Sequence, residues 1–466
     1  MRKAKDKPIL NLPTFNDIPC LEYGQIFTGS SIWHETGEGD KIATFDVVIR
    51  EMPGNRNFML FSGIEDVIKG LLNWKYDKKY LKLLVSKKII TKKFETYLKN
   101  FKFKGDVWAL PEGTVFFPGE PVIRITASLK DANLLTSFLI NSICFPTLYF
   151  TKAVRVKLAS NGKLFEVSGA VRAGGFENIL KIYRIGYLLD SANSVPYIPL
   201  KYHLPEEFGS IVFYHALIKS FSDERAAFEA FANYKNEKLI KLIMVDTYDI
   251  KKGVKNFIEV EKKVSKEGKS IGWVYLDSGD ILENSRYIRK ELDKANLKHV
   301  KIGASSNLDE YKIAYLEEKN APIDAYGSQT ESINISDRPV LEAVYKLAQL
   351  VDNNSNITYA AKLTPGKLSL PGNKQVFRKI EKGKFKEDII GFEKENFENP
   401  LLINYVKNGK LVKKLPSLFE IKKYFENQLS QLPEDLKKIN EKAIYPVKIS
   451  KDIEDILNIL KEKHLN

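Results

Sequence analysis

The chain has 466 residues, 44% of them apolar and 11% aromatic, and its 73 basic and 59 acidic side chains leave a formal net charge of +14. This composition provides for a large buried core and excludes general disorder, and the length favours two or three domains. Two cysteines, Cys20 and Cys144, are too few for a disulfide framework or a four-thiolate zinc site, so we expect a reducing, cytoplasmic location.

The first 150 residues mix short strands and helices. A strand is predicted at 45–51, and amphipathic helices are predicted at 61–74 and 92–101. The stretch 105–125 is rich in strand-forming residues and contains Pro-Glu-Gly and Pro-Gly, which is typical of hairpins. The sequence therefore predicts an α+β unit with an antiparallel sheet over residues 1–150.

One segment of this unit resembles a membrane span. Residues 133–151 carry no charge over 19 positions, which is close to the length of a spanning helix. They include several polar residues and Pro146, so we interpret them as a buried helix, a turn near Phe145-Pro146 and the start of a second helix. The start of the chain, MRKAKDKPILNLP, lacks the apolar core of a secretory signal. We expect a soluble protein with no membrane partner.

From about residue 240 the pattern changes to short apolar strands separated by helices. The predicted elements are strands at 241–245, 273–276, 300–304 and 323–326 and helices at 281–296 and 308–320. Alternation of strand and helix predicts βαβ units with parallel strands. This region is assigned to a barrel domain over 151–365.

The last part of the chain, 366–466, is predicted to be an extension that packs back on the N-terminal domain. Strands are expected around 370–379, and amphipathic helices are expected around 417–442 and 451–463. Lysine and glutamate at helical spacing are typical of solvated helix faces.

Polar residues follow each predicted parallel strand. These tetrapeptides and tripeptide are Asp246-Thr-Tyr-Asp249, Asp277-Ser-Gly-Asp280, Ser305-Ser-Asn307 and Gly327-Ser-Gln-Thr330. Parallel strands bring all four to one end of the sheet or barrel, the end where α/β barrels build active sites. Carboxylates there can hold sugar hydroxyls or Mg²⁺, and small residues let backbone amides approach a phosphate. One such segment is an ordinary turn, but four in consecutive units indicate a site.

At these residues the chain resembles nicotinate phosphoribosyltransferase, a type II phosphoribosyltransferase, along nearly its whole length. The matching stretches include FSGIEDV (61–67), TKAVRVKLA (151–159), SFSDERAAFEAFANY (220–234), LDSGD (276–280) and APIDAYG (321–327). The resemblance rests on many such segments in the right order, since no single one is specific.

The resemblance implies both a fold and a reaction. The fold is an irregular α/β barrel packed on an N-terminal sandwich-like domain that C-terminal elements complete, usually as a homodimer with shared active sites. The reaction joins nicotinate to phosphoribosyl pyrophosphate, giving nicotinate mononucleotide and pyrophosphate in NAD salvage. ATP is the implied co-substrate and Mg²⁺ the implied cofactor, and no nucleic-acid partner is expected.

The resemblance also implies roles for individual residues. His215 matches the histidine that ATP phosphorylates, while Asp277 and Asp280 match the acidic loop that faces the ribose and pyrophosphate and are the expected metal ligands. The segment Gly327–Thr330 falls where the family holds the 5′-phosphate. The expected substrate-binding residues are Tyr23, Arg172, Asp246, Asp249, Ser278, Gly279, Ser305, Gly327, Ser328 and Thr330. The other histidines, His34, His203, His299 and His464, are expected to be structural or merely exposed.

The chain departs from the family pattern at the base and phosphate pockets. Tyr275 stands where the family usually has an arginine, Val171 replaces the first of two paired arginines, and Gln329 replaces a glycine of the phosphate loop. Ser306 replaces an asparagine, and only Glu22-Tyr23 is left of an N-terminal element whose tyrosine stacks on the base. Losing a bidentate arginine opposite a carboxylate costs on the order of 1.5–3 kcal/mol.

These departures leave three explanations open. Arg172 or a lysine has taken over the missing contact, the base is different, for example nicotinamide, or catalysis has been lost. The third explanation makes the chain a non-catalytic binder of phosphoribosyl pyrophosphate, and Gln329 is its best support. A role in RNA binding is the weakest alternative, because only 12 of the 73 basic residues are arginine and no basic run is interleaved with aromatic residues.

Overall fold

The structure is a computed structural model that describes residues 15–167, 169–191, 197–202, 210–234 and 240–465. The start of the chain, which is predicted not to be a secretory signal, and His203 lie outside the described residues. Within the described part, none of the helices combines the length and the apolar composition needed to cross a lipid bilayer.

The first part of the chain is a mixed α+β unit, as predicted. Its helices are α1 (Gly24–Thr36), α2 (Ile64–Leu72), α3 (Lys78–Ser86), α4 (Lys92–Lys99), α5 (Leu129–Asn133) and α6 (Thr136–Ala159). Its strands are β1 (Ile42–Ile49), β2 (Met59–Leu60), β3 (Asp106–Ala109), β4 (Val115–Phe116) and β5 (Pro121–Ser128). Short 3₁₀ helices lie at Phe15–Cys20 and Glu38–Asp40.

The middle of the chain alternates strand and helix. Its strands are β6 (Leu164–Val167), β7 (Ser210–Phe213), β8 (Ile240–Met244), β9 (Trp273–Leu276), β10 (Lys301–Leu308) and β11 (Ala325–Ser328). Its helices are α7 (Phe176–Leu188), α8 (Tyr197–Tyr202), α9 (His215–Lys219), α10 (Glu224–Asn233), α11 (Ile250–Ser265), α12 (Ile281–Lys294), α13 (Glu310–Glu318) and α14 (Thr330–Ile333), and a 3₁₀ helix spans Ala170–Arg172.

The last part of the chain adds strands first and helices afterwards. The strands are β12 (Ala343–Val351), β13 (Ile357–Tyr359), β14 (Lys374–Glu381), β15 (Lys384–Phe392), β16 (Ile403–Lys407), β17 (Lys410–Leu411) and β18 (Val447–Ile449). The helices are α15 (Leu418–Gln431), α16 (Glu434–Lys437) and α17 (Lys451–Leu465). The helical stretch expected around 417–442 is therefore shorter, because the Leu432-Pro433 pair ends α15 in extended backbone.

Two large sheets carry the molecule. Strands β6, β11, β10, β9, β8 and β7 form a parallel sheet in that order. The other large sheet has the order β13, β12, β1, β5, β3, β16 and β17, and its paired strands are antiparallel. Strands from both ends of the chain thus share one sheet, so the prediction that C-terminal elements complete the N-terminal unit is confirmed.

The buried helix predicted within residues 133–151 is confirmed, but the turn predicted near Phe145-Pro146 was wrong. A single helix, α6, runs through Pro146 and has no turn near Phe145. Helix α6 lies in the core, and two of its threonine hydroxyls accept hydrogen bonds from the backbone of another segment. These bonds run from Leu60 N to Thr151 Oγ1 (2.9 Å) and from Ser62 N to Thr147 Oγ1 (3.2 Å). Tertiary contacts therefore keep the helix continuous where proline alone favours a break. Helix α6 also crosses residue 150, and the domain boundaries stay a prediction.

Helices α11, α12 and α13 each begin with an aspartate that follows a strand of the parallel sheet. Asp249, Asp280 and Asp309 accept hydrogen bonds at 2.8–3.0 Å from backbone N–H groups three residues further on. Such N-caps satisfy donors that the first turn of a helix leaves unpaired. The spacing of aspartates after β8 and β9 therefore has a structural component: the second aspartate of each loop starts the next helix.

Candidate active site

The carboxyl end of the parallel sheet carries a cleft of about 380 Å³. It is lined by Arg172, Asp277, Ser306, Asn307, Gln329, Thr330 and Glu331. These residues come from three segments that were expected to meet at one end of the sheet and from the segment containing Arg172. Two of those segments were predicted to follow their strands, but the strands are longer than predicted. Strand β10 continues through residues 305–307, and β11 continues through Ser328.

Asp277 is the centre of this site. Ser305 Oγ and Gln329 Nε2 both donate to its Oδ1, the latter at 2.9 Å. Its other oxygen, Oδ2, lies 3.9 Å from His215 Nε2. One carboxylate therefore contacts a residue inside β10 and residues that follow β7 and β11, and Oδ2 is its less engaged oxygen.

Asp246 supports the same loop from the neighbouring strand. Its Oδ2 accepts hydrogen bonds from the Asp277 backbone N–H at 3.0 Å and from Ser278 Oγ at 2.6 Å. Its Oδ1 is buried and, within the described residues, has no hydrogen-bond partner. A buried carboxylate oxygen without a donor is costly, so it marks a position where a cation or a hydroxyl of a bound molecule fits.

His215 lies at the start of α9 with its side chain 37% exposed. Its Nδ1 is 3.0 Å from Thr247 Oγ1, so that hydrogen bond and the Asp277 carboxylate fix the plane of the ring. The ring is thus oriented and partly exposed, but His215 is not among the residues that line the cleft. An oriented, accessible imidazole suits nucleophilic or proton-transfer chemistry.

The loop from Gly327 to Thr330 packs against the segment that contains Arg172. Arg172 Nη1 donates to Thr330 Oγ1 at 3.3 Å, and Gly169 faces the backbone of Gln329. Gly169 has a φ of +78°, and a Cβ atom added there would lie 3.3 Å from Gln329 Cα, so both its conformation and its small size are used. Arg172 is thereby held at the cleft beside the expected phosphate loop.

The neighbouring segment of β10 has unusual backbone geometry. Ser306 and Asn307 adopt φ values of +82° and +54°, and the pairing register between β10 and β11 shifts between Ala304 and Leu308. Two consecutive residues in the left-handed region are costly outside glycine. Because both line the cleft, this irregularity shapes the site.

Tyr275 is buried in β9, two positions before Asp277. It is 4% exposed, and its ring occupies the space above Gly303. Burial raises the pKa of the Tyr275 phenol, and the nearby Glu166 carboxylate acts in the same direction. Burial also raises the pKa of Glu166 to about 7, although a hydrogen bond from Ser210 opposes the shift. The position of the family arginine is thus filled by a neutral aromatic residue.

Of the remaining predicted site residues, Gly279 and Asp249 lie in the loops after β9 and β8, and Tyr23 lies outside the cleft. Gly279 lies in the acidic loop with a φ of +75°, which lets the chain turn between Asp277 and the cap at Asp280. Asp249 likewise has one oxygen committed to the cap of α11. Tyr23 is 68% exposed at the start of α1 and does not line the cleft. The prediction for Tyr23 therefore concerns a surface outside the cleft.

The residues of the cleft match a polyanionic substrate with a bound cation. The described residues contain no group of three or more His, Cys, Asp and Glu side chains placed to hold a metal ion. Mg²⁺ usually takes only one or two carboxylates and completes its shell with water and substrate phosphates, so Asp277 Oδ2 and the unpartnered Asp246 Oδ1 suit it. Arg172 supplies a positive charge beside the small-residue loop.

Sequence reasoning missed several residues of this site. Thr247 orients His215, Asn307 and Glu331 line the cleft, and Glu166 lies beside Tyr275. Thr247 could have been found, since it follows Asp246 in a segment already singled out. Glu166 gave no such signal, because an acid inside a strand is usually on a solvated face.

Family models match two parts of the chain. Residues 25–144 match the model of the nicotinate phosphoribosyltransferase N-terminal domain, and residues 393–457 match that of the C-terminal domain of the same enzyme. A nicotinate phosphoribosyltransferase of Mycobacterium tuberculosis is 34% identical over 429 residues, covering 91% of this chain and 90% of the relative. One from Bacillus subtilis is 29% identical over 457 residues, covering 92% of each chain.

Solved structures share the fold. Human nicotinic acid phosphoribosyltransferase superposes with a TM-score of 0.79 at 23% identity, covering 94% of this chain and 100% of the human chain. A nicotinate-nucleotide pyrophosphorylase from Pyrococcus furiosus gives a TM-score of 0.70 at 22% identity, covering 91% of this chain and 99% of the other. The predicted fold, an irregular α/β barrel with a sandwich-like domain, is confirmed.

Proposed function

The chain belongs to the nicotinate phosphoribosyltransferase family, and from this membership we propose that it joins nicotinate to phosphoribosyl pyrophosphate in NAD salvage. The products are nicotinate mononucleotide and pyrophosphate. The observation that supports this most directly is that Ser305, Gln329 and His215, from three different segments, converge on the carboxylate of Asp277 in the acidic loop.

The reaction breaks the bond between C1′ of the ribose and the pyrophosphate oxygen and forms a bond from C1′ to the pyridine nitrogen. Positive charge develops on the ribose as the leaving group departs, so fixed negative charge nearby stabilises the transition state. We assign this role to Asp277, whose Oδ2 faces the site. Asp246, Asp249, Ser278, Gly279 and Ser305 shape the acidic edge around it.

The phosphate ester of the substrate is assigned to the segment Gly327–Thr330, with Ser328 inside it. Arg172 already donates to Thr330, so a phosphate bound there meets a guanidinium without a large rearrangement. Mg²⁺, when bound, neutralises charge on the departing pyrophosphate. Asp277 and Asp246 are the best placed carboxylates for it, while Asp280 has Oδ1 engaged in the cap of α12 and contributes through its other oxygen.

ATP is the proposed co-substrate, and His215 is the proposed acceptor of its γ-phosphoryl group. The new bond joins an imidazole nitrogen to phosphorus, and the bond from phosphorus to the bridging oxygen of ADP breaks. Two features support His215: its exposed ring and its orientation by Thr247 beside Asp277. A phosphoryl group there adds negative charge next to the acidic loop and thereby changes how that loop binds Mg²⁺.

A homodimer in the cytoplasm is the proposed working form. Tyr23 is exposed outside the cleft of its own subunit, which suits a residue that contacts the base bound by a partner. Size-exclusion chromatography with light scattering tests the oligomeric state. Tyr23→Ala mixed with an inactive Asp277→Asn variant tests sharing, since mixed dimers regain activity only if the two residues serve one site from different subunits.

The base is the least constrained part of the proposal, because Tyr275 fills the place of an arginine. Nicotinamide is the alternative that this neutral residue favours, since an uncharged amide needs no cationic partner. The test is pyrophosphate release with Mg²⁺ and phosphoribosyl pyrophosphate, comparing nicotinate, nicotinamide and quinolinate with and without ATP. Nicotinate-specific release raised by ATP supports the proposal. Release with only another base moves the proposal to that base, and binding without any release indicates a non-catalytic protein.

The assignment of His215 has its own test. In His215→Ala, ATP should no longer raise the rate of pyrophosphate release or be hydrolysed with it, whereas the fold is unchanged because the ring is half-exposed. His299→Ala is a matched control, since His299 is 55% exposed beside Glu261, in the connection between α12 and β10. ATP coupling that survives in His215→Ala and in the control alike would rule out His215 as the phosphoryl acceptor.

A further inference from the structure

Gln329 has a side chain where the family pattern has a glycine. Its backbone φ of −117° and ψ of −141° are accessible to any L-amino acid, so this position does not need glycine's freedom in this chain. Its carbonyl accepts hydrogen bonds from Ser332 and Ile333 at 3.0 Å and so begins α14. The backbone of Gln329 is therefore fixed from one side, and its side chain is free to serve another purpose.

That side chain points across the cleft to the acidic loop. Gln329 Nε2 donates to Asp277 Oδ1 at 2.9 Å, joining residues 52 positions apart. Ser305 Oγ donates to the same oxygen from the strand between them. With two donors on Oδ1, rotation of the carboxylate is restricted, and Oδ2 is directed towards His215. An amide is well suited to this because it donates without adding charge.

The contact also joins two functional loops. Gln329 belongs to the proposed phosphate loop, Gly327–Thr330, and Asp277 is the proposed carboxylate at the ribose. The segment with Arg172 packs on the same loop, since Gly169 faces Gln329 and Arg172 donates to Thr330. The departures from the family pattern at 306 and 329 thus line one cleft, together with Arg172, the neighbour of Val171.

We propose that Gln329 is a positioning residue that orients Asp277 and couples the phosphate loop to the acidic loop. This inference rests on the proposed function, because it gives Asp277 its role in phosphoribosyl transfer. Gln329 acts through Asp277 and does not itself touch the reacting atoms. With glycine at position 329, Ser305 would be the remaining side-chain donor to Asp277 Oδ1. Glycine would allow the backbone to come close to a phosphate, whereas glutamine instead holds the carboxylate in place.

The first test removes the donor and keeps the size. In Gln329→Leu, kcat for pyrophosphate release should fall about tenfold or more, because a charge-assisted hydrogen bond on Asp277 is lost. The KM for phosphoribosyl pyrophosphate should change by less than about threefold, since the phosphate loop keeps its backbone. Gln431→Leu, at the end of α15, is the matched control and should behave as wild type. Wild-type kcat in Gln329→Leu overturns the proposal.

The second test uses pH, which a purely structural role would not affect. Gln329→Glu places two carboxyl groups together, so one proton is shared and the pair acquires a raised pKa. Below that pKa the introduced carboxyl is protonated and donates to Asp277 as the amide does, so kcat recovers as pH falls. Above it the two charges repel and kcat is low. A pH profile identical in shape to that of wild type and of Gln431→Glu contradicts the proposal.

Failure of the proposed function can be told apart from failure of this inference. If wild type releases no pyrophosphate with any base, the function fails, and the contact is then tested without turnover. Carboxyl ¹³C NMR of Gln329→Glu should show a carboxyl that titrates well above the usual range for glutamate, and this signal should vanish when Asp277→Asn is added. If Gln329→Glu adds no such signal to the raised carboxyl titrations that the wild type already has at Glu166 and Glu120, the contact itself is overturned.

Discussion

Two regions of this protein differ in whether their acidic side chains have a basic partner. Strands β14 and β15 form a separate sheet with β18 beside the large antiparallel sheet. Buried charges meet each other there: Lys374 Nζ lies 2.6 Å from Asp46 Oδ2 of β1, and Arg378 donates to both oxygens of Asp388. At the carboxyl end of the parallel sheet, Asp277 lines a cleft, and its Oδ2 lies 3.9 Å from His215 Nε2. Asp46 Oδ1 and Asp246 Oδ1 both lack a hydrogen-bond partner within the described residues, but Asp46 is paired with a lysine, whereas the donors to Asp246 Oδ2 are neutral. Charges satisfied inside the chain stabilise the fold, whereas charges with unused capacity are available to a substrate.

The two regions also differ in how burial acts. Burial lowers the pKa of Lys374 and raises that of Asp46, and the attraction between them opposes both shifts. The Glu120 carboxyl beside Asp388 likewise has a raised pKa, because it is buried and faces another carboxylate. The paired region therefore depends on complete partnerships. Removing one member leaves a buried charge, which costs far more than the pair contributes.

The largest predicted effect breaks such a partnership. Arg378→Met leaves Asp388 buried without its cationic partner, beside the Tyr445 hydroxyl and the Glu120 carboxyl, so the free energy of unfolding should fall by about 3–5 kcal/mol. Lys379→Met is the matched control from the same strand, because Lys379 is 58% exposed and its nitrogen lies 3.8 Å from Glu387. Its effect should stay below about 0.5 kcal/mol. Denaturant unfolding followed by circular dichroism measures both, and equal stability of the two variants would contradict the prediction.

The next largest effect is expected at the cleft, where Asp277 lies. Asp277→Asn keeps the size of the side chain but removes its charge, so kcat for pyrophosphate release should fall about a hundredfold or more, equivalent to about 2.7 kcal/mol of transition-state stabilisation. Its unfolding midpoint should stay close to that of wild type. Asp293→Asn serves as the control, since Asp293 pairs with Arg289 on the exposed face of α12. Full activity in Asp277→Asn would remove the acidic loop from the mechanism.

The smallest predicted effect is a pH dependence of stability that comes from Glu166, a buried acid without a basic partner among the described contacts. Glu166 has a folded-state pKa of about 7, raised by burial, against 4.5 ordinarily. Between these values the unfolded chain releases the proton and the folded chain keeps it, so this group lowers stability as pH rises and the loss is complete above pH 7. Glu166→Gln has no such loss.

The prediction for Glu166→Gln is therefore a change in relative stability. Compared with wild type, the variant should gain about 2 kcal/mol of unfolding free energy on going from pH 5 to pH 8, after allowance for its partial exposure. Unfolding curves of both proteins at the two pH values provide the measurement. A difference that does not depend on pH would mean that Glu166 is ionised normally in the folded protein.

Much of the parallel sheet and its site could be predicted from the sequence. The strand at 273–276 has the predicted bounds, and the strands near 241–245 and 323–326 are displaced by only one or two residues, because short apolar runs between helices have few alternative structures. The acidic segments after β8 and β9 were found for the same reason. Their division of labour was not: only the backbone shows that Asp249 and Asp280 cap helices while Asp246 and Asp277 face each other.

Other features could not be predicted because they depend on contacts between distant residues. A proline favours a helix break locally, yet α6 continues through Pro146 since the backbone near Ser62 bonds to Thr147. The pairs Lys374–Asp46 and Gln329–Asp277 join residues far apart in the chain, and their sequence neighbours give no sign of a partner.

By itself, the sequence determined the elements, the family and the end of the barrel where the chemistry lies. Local periodicity predicts the elements, and the rule that parallel strands end at one edge predicts that end of the barrel, whereas the family follows from the resemblance of many segments in the right order. Only the tertiary structure decided which oxygen of Asp277 accepts the two hydrogen bonds, and that Tyr275 is buried against Gly303. The reason is physical: hydrogen-bond partnership and burial are set by distances between segments, and a one-dimensional pattern contains the segments but not the distances.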